Sequence, residues 1–171
     1  MVIQLQNCTV RSYRHTDAES IAKNANNRKI WLKLREGFPH PYTVEDAKGF
    51  IQNAMNSKPE SMFAICVEDK AVGGIGFTLH SDIERISAEI GYWLGEPFWG
   101  RGIVTEALKA VTNYAIKNHG LKRVYAVPFE SNNASFRVLE KAGYLLEGRM
   151  KRSAIKDGKV IDQLIYAYVV E

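Results

Sequence analysis

Cysteine is scarce: Cys8 and Cys66 are the only two in 171 residues. Both sit in apolar or alternating surroundings, so they read as buried free thiols rather than as a disulfide, which suits a reducing cytoplasm. Apolar runs are short as well. None reaches membrane-spanning length, and the first residues carry no signal-peptide core, so no membrane partner is expected. Repeats, low-complexity tracts and linkers are missing, and one domain over residues 1–171 is expected. No Gly-x-x-x-x-Gly-Lys can be read, which excludes a P-loop. The four histidines, His15, His40, His80 and His119, form no metal-ligand spacing, so no metal is expected. Charge of one sign is not concentrated. The net +4 is scattered except at Arg149, Lys151 and Arg152, which suits a polyanionic small ligand and argues against nucleic acid. What is present is ordinary: 46% hydrophobic and 25% charged residues, enough for a sizeable core.

Along the chain, Cys8 to Tyr13 predicts a first strand. Thr16-Asp17 caps a short helix that carries Ile21 and Ala22 and ends near Asn26-Asn27. Ile30 to Phe38 is apolar but irregular, and Phe38-Pro39-His40-Pro41-Tyr42 must be a loop. Thr43-x-x-Asp46 is a capping-box variant that opens a helix with the stripe Ala47, Phe50, Ile51 and Ala54. Met62 to Glu68 and Ala71 to Leu79 are strands joined by Glu68-Asp69-Lys70. Ser87 to Leu94 is a third, completing an antiparallel meander. A helix from Ile103 stops at Gly120. Val124 to Val127 follows as a strand, and a strand–helix–strand crossover places it parallel to Ser87–Leu94. Ser131-Asn132 opens a last helix closed by Gly143. Tyr144 to Met150, the Asp157-Gly158 hairpin signal and Leu164 to Val170 complete the chain. The pattern is α/β (α+β): a mixed, mostly antiparallel sheet with helices on both faces.

The stretch from Glu89 to Ala107 carries the chemistry. A strand ends at Gly95-Glu96-Pro97, Gly100-Arg101-Gly102 follows, and a helix begins at Ile103. Free N–H groups at a helix start, a favourable dipole and missing side chains make an anion site. Arg101 adds a forked donor suited to phosphate. The bland alternative is a tight turn before a helix. The spacing is a poor dinucleotide fingerprint, because Thr105 stands at its third position and Gly95 to Trp99 intervenes after the strand.

Trp99-Gly100-Arg101-Gly102 resembles the pyrophosphate loop of the GNAT acyltransferases, with Pro97 standing where that pattern carries Arg or Gln. The longer run Gly-Tyr-Trp-Leu, then Trp-Gly-Arg-Gly-Ile-Val-Thr-Glu-Ala, resembles the RimJ/RimL branch, the ribosomal-protein N-terminal acetyltransferases. A second signature, Asn132-x-x-Ser135 followed by Glu140-Lys141-x-Gly143-Tyr144, is similar to the same family. Glu147-Gly148 and Asp157-Gly158 with Asp162 extend the likeness nearly to the C-terminus.

The resemblance implies the GNAT fold and an acetyl-CoA-dependent N-acetyltransferase. Acetyl-CoA would be held by Trp99, Gly100, Arg101, Gly102, the helix start at Ile103, Val104 and Thr105, and the amide of Asn132. It would lie along the strand at Trp93 and Leu94, whose N–H groups would face the oxyanion and where Gly91 and Gly95 leave room. Ser135 would hydrogen-bond the departing thiolate, or else serve only in helix capping. Glu89 would bind or deprotonate the acceptor ammonium, or else form a strand salt bridge. Trp31, Phe38, His40 and Tyr42 are wall material for the acceptor side, or simply packing.

No histidine lies in either motif, and an α-amine, at about pKa 7.7–8.0, is far easier to deprotonate than lysine at about 10.4. A protein or peptide N-terminus is therefore the expected acceptor. The alternatives are a small amine (antibiotic, polyamine or amino acid) or a non-catalytic acyl-CoA-binding module. A cytoplasmic location is expected, and the closing hairpin with Tyr166 and Tyr168 is a candidate homodimer edge.

Overall fold

The computed structural model describes residues 1–171. Eight strands form one sheet: β1 (Val2–Gln4), β2 (Thr9–Arg11), β3 (Met62–Val67), β4 (Lys70–Leu79), β5 (Ser87–Leu94), β6 (Arg123–Ala126), β7 (Leu145–Lys156) and β8 (Lys159–Val169). The spatial order is β1-β2-β3-β4-β5-β6-β8-β7. All neighbours are antiparallel except β5 and β6, which the crossover makes parallel. The helices are α1 (Ala18–Ala25), α2 (Arg28–Trp31), α3 (Val44–Asn56), α4 (Ile103–His119) and α5 (Asn133–Lys141). None is long and apolar enough to cross a membrane.

Alternation along the strands builds two cores. On β3, Phe63 and Ile65 face α4, while Ala64 and Cys66 face α1 and α3. That is why Met-Phe-Ala-Ile-Cys-Val reads as one apolar run: the strand is buried on both sides. Cys8 belongs to the first core and Cys66 to the second, so the free thiols lie on opposite faces of the sheet. The Thr43–Asp46 capping box forms as the spacing predicts, each side chain bonding the other's backbone N–H. On the second face, Arg11 and Asp17 form a buried two-pronged ion pair, at 2.9 and 2.8 Å.

Three expectations change. β1 is an added edge strand, too short to show a period in sequence. The closing strands are longer than Tyr144–Met150 and Leu164–Val170. Asp157 and Gly158 both take φ > 0, at 52° and 73°, giving a two-residue turn that lets the ladder run to the tip. The third change concerns the dimer edge. β8 lies inside, between β6 and β7, and Tyr166 is buried against Phe136 with stacked rings 5.7 Å apart. Tyr166 and Tyr168 therefore do not form a free edge; β7 does.

β5 and β6 pair only through Ser87–Glu89 and Arg123–Tyr125. Beyond that, each follows its outer neighbour. β5 stays on β4 as far as Leu94 and the Gly95 N–H bond to Val72 O. β6 and the loop after it stay on β8, through Leu164 N–H to Pro128 O, a Phe129–Gln163 bridge and Glu130 N–H to Asp162 O. The sheet splits into a wedge, and the backbone of β5 beyond Glu89 has no partner strand on that side.

Candidate active site

The glycine loop closes one end of the wedge. After the short turn Glu96–Phe98, the Trp99 indole donates to Leu94 O at 2.7 Å, folding the loop onto the strand end. Gly100 and Gly102 take φ of 75° and 74°, and a Cβ on either would meet only open space within 4 Å. Gly102 is the residue before α4 and offers no side-chain cap. The helix's own bonding starts with Glu106 N–H to Gly102 O, so the N–H groups of Ile103, Val104 and Thr105 have no intrahelical acceptor. An uncapped 17-residue helix behind an open, side-chain-free loop fits a pyrophosphate. Arg101 lies against this loop, donating to Pro97 O at 3.1 Å with its guanidinium 5.4 Å from the Phe98 ring centre.

Gly95 differs from the other loop glycines. A Cβ there would stand 2.3 Å from Asn24 Oδ1. Its small size serves the approach of α1 and not a ligand on the strand, whereas Gly91 faces open space.

From the loop, a cavity of about 1090 Å³ runs through the wedge, lined by Glu89, Trp93, Leu94, residues 99–105, Asn132 and Ser135. Backbone direction on β5 follows from its ladder. Gly95 N–H bonds Val72 O and His80 N–H bonds Ser87 O, so odd-numbered residues bond β4 and even-numbered ones point the other way. The N–H groups that face the wedge are therefore those of Tyr92 and Leu94. The Trp93 N–H belongs to the ladder, and its ring packs on Phe38 at 5.6 Å.

The side chains alternate too. Tyr92 reaches toward α5, where its hydroxyl lies 2.6 Å from Ser135 Oγ. Ser135 is buried, and its N–H donates to Asn132 Oδ1 at 3.3 Å, so Asn132 is a true helix cap. Burial, partly offset by the Ser135 hydrogen bond, pushes the Tyr92 pKa up to about 12. The phenol is therefore neutral, and it can donate to Ser135 Oγ and leave the serine proton free. Glu89 lies on the opposite face of β5, where its carboxylate accepts from Arg35 at 3.1 Å. The strand salt bridge thus forms, at the cavity wall.

Residues 28–38 strap the wedge. Lys29 pairs with Glu96 at 3.0 Å and Arg35 with Glu89, both on the β5 side. Lys33 Nζ donates to Ser131 O at 2.9 Å on the β6 side, and burial pulls its pKa down. Of the expected wall aromatics, Phe38 and Tyr42 line the cavity while Trp31 and His40 do not. Trp31 instead carries Lys156 Nζ 3.8 Å from its ring centre. Sequence reasoning missed Tyr92, Lys33 and Arg35. Only Tyr92 left a usable signal, its parity with the core-facing Ile90 and Leu94.

The family model described as an acetyltransferase (GNAT) domain matches residues 7–145. The chain belongs to the GNAT acetyltransferase family. It is 30% identical over 147 residues to the ribosomal-protein-serine acetyltransferase of Escherichia coli, covering 84% of this chain and 82% of that protein. Two solved structures match nearly end to end. A GNAT-family acetyltransferase from Bacillus anthracis is 25% identical with a TM-score of 0.86, covering 99% and 98% of the two chains. The microcin C7 self-immunity acetyltransferase MccE, solved with acetyl-CoA and AMP, is 26% identical with a TM-score of 0.82, covering 97% and 94%. This GNAT protein is thus an acetyl-CoA N-acetyltransferase of RimJ/RimL type, with the mixed sheet and flanking helices that the sequence predicts.

Proposed function

We propose that this acetyltransferase modifies the free α-amine of a protein or peptide N-terminus. The observation that carries the reading is the wedge. Ser135 and the glycine loop reach it from one face of β5 and Glu89 from the other, and no histidine lines it. Without a base that titrates near neutrality, the site suits an amine that is already partly unprotonated, which an α-amine is and a lysine is not. The likeness to a ribosomal-protein-serine acetyltransferase supports the same acceptor class.

In this reading, Gly100, Gly102 and the N–H groups of Ile103, Val104 and Thr105 hold the pyrophosphate, with Arg101 beside them. Trp99 keeps the loop in place and Asn132 meets the pantetheine amides. Glu89, bonded to Arg35 through Oε1 alone, takes the acceptor ammonium on Oε2 and passes its proton to water. The amine nitrogen then bonds the acetyl carbon, and the N–H groups of Tyr92 and Leu94 face the oxyanion. As the carbon–sulfur bond breaks, Ser135, oriented by Tyr92, hydrogen-bonds the departing thiolate. The proton that the new amide nitrogen sheds leaves through Glu89 and water to the thiolate or solvent.

The test is thiol release from acetyl-CoA with a panel of amines. Short peptides with a free N-terminus should react first, and N-terminally blocked peptides with a lysine poorly. Rapid turnover of a polyamine or aminoglycoside with inert peptides would transfer the assignment to small amines. No thiol release with any amine would leave a non-catalytic acyl-CoA-binding module.

A further inference from the structure

A second cavity, of about 420 Å³, opens on the Glu89 face of the sheet. It shares Arg35, Glu89 and Val127 with the main cavity, so the two meet at the Glu89–Arg35 ion pair. From there it runs along β5 and β6 toward the loop between β4 and β5, away from the glycine loop. Its size lies within the range of small-ligand sites.

The walls are mixed. The His80 and Tyr125 rings lie nearly parallel, with centres 5.7 Å apart and His80 Nε2 2.8 Å from the Tyr125 hydroxyl. Met150 and Ile165 supply apolar surface from the hairpin. Both arginines are already engaged, Arg35 by Glu89 at 3.1 Å and Arg123 by both carboxylate oxygens of Glu147. Glu84, on the rim, has no ionic partner. Glu84, Glu89 and Tyr125 line the cavity together, and burial and then the two carboxylates raise the Tyr125 pKa.

We propose that this cavity is the acceptor's second subsite. With the reacting amine at Glu89, it takes the next part of the acceptor and favours a second cationic group there, held by Glu84. The shared chemistry is a positive charge a few bonds beyond the reacting amine, which either a basic side chain at peptide position 2 or 3 or a diamine can supply. The inference rests on the proposed amine acetylation.

The test uses the full-length protein at saturating acetyl-CoA. One arm compares peptides that differ only at positions 2 and 3, with Arg, Gln or Glu there. A second arm uses diamines against monoamines of equal length. The third uses an amino-acid amide that fills only the first subsite. The expected kcat/KM favours Arg over Glu peptides by about fivefold, the size a partly solvated charge contact supports. Glu84→Lys should reverse that order and leave the amide's kcat/KM and acetyl-CoA affinity unchanged. A diamine preference with the same Glu84 dependence would assign the subsite to small amines, and a preference confined to peptides would assign it to N-termini.

The proposal is overturned if acetylation proceeds with no charge preference at positions 2 and 3 or in the diamine arm. It is also overturned if Glu84→Lys lowers the amide's kcat/KM as much as the peptides'. Failure of every amine to react sinks the amine-acetylation reading itself, a separate result.

Discussion

On the β1–β5 flank of the sheet, β3 and β4 are buried on both faces, between α4 on one side and α1 with α3 on the other, whereas on the opposite flank β7 is exposed along most of its length. The first flank holds Glu89 and Tyr92 on β5, with the glycine loop beyond its end. The second holds Ser135 on α5, fastened by the backbone bonds of residues 128–130 to β8 and by Lys33 from the strap. The site lies between a half with doubly buried strands and a half that ends in an exposed edge strand. Their backbones pair along only three residues of β5, while Leu139 and Ala142 of α5 and Tyr166 of β8 share the first core with α4.

If that contrast is right, the largest stability loss comes from the buried flank. Asp17→Asn leaves the buried Arg11 guanidinium with only the exposed Asp69 carboxylate, 3.6 Å from its Nε, and should cost about 3 kcal/mol in urea unfolding. The Asp17 carboxyl is subject to burial, which alone would raise its pKa, but Arg11 and the Arg14 N–H outweigh that and hold it below the ordinary value. A depressed folded pKa means that the pair's contribution is complete above the unfolded value of about 3.9 and is lost as pH falls through the folded one. The mutant should therefore lose the steep acid limb of wild type. A wild-type-like urea midpoint would show that the second core does not depend on this pair.

Gly102→Val addresses the loop at the end of the same flank. A branched side chain at φ 74° is strained by about 1–2 kcal/mol and would fill the open space before α4. Acetyl-CoA affinity, read by calorimetry, should fall on the order of tenfold or more with the fold retained, because charge-assisted bonds to the pyrophosphate are lost. Normal affinity would reduce the glycines to turn formers.

Across the wedge, Ser135→Ala and Tyr92→Phe should each lower kcat by about tenfold, the worth of one hydrogen bond strengthened in the transition state, with acetyl-CoA affinity unchanged. Because Tyr92 acts through Ser135, the double mutant should be no worse than Ser135→Ala. Additive losses would separate the two residues and make Tyr92 a packing group. The smallest effect belongs to the exposed flank. Ile155 is 68% exposed on β7, and Ile155→Ser should change unfolding free energy by no more than about 0.5 kcal/mol. A larger loss would mean that β7 is covered in solution.

The sequence made the framework legible wherever structure is local. The bounds of β5, the start of α4 at Ile103, the capping box of α3 and the parallel pairing of β5 with β6 all follow from periodicity, caps and crossover handedness. The cofactor side was legible for the same reason, since loop and helix start are contiguous. What could not be read is what long-range packing brings together. Tyr92 meets Ser135 across 43 residues and Arg35 meets Glu89 across 54; parity gives the face of Tyr92 but not its partner, and Arg35 lies in an irregular stretch. Strand order is also non-local. A hairpin can add to a sheet by either of its strands, and here β8, the last in sequence, is the inner one. Gly95 shows the converse error: a glycine beside a ligand cleft spared for a neighbouring helix.

The central claim is that the wedge between β5 and β6 acetylates an α-amine in preference to a lysine. Mass spectrometry of one peptide carrying both a free N-terminus and an internal lysine, incubated with the protein and acetyl-CoA near neutral pH, tests it most directly. The account predicts a single acetyl group on the N-terminal nitrogen, with the rate rising as pH approaches the α-amine's pKa of about 8. Acetylation at the lysine alone would contradict it.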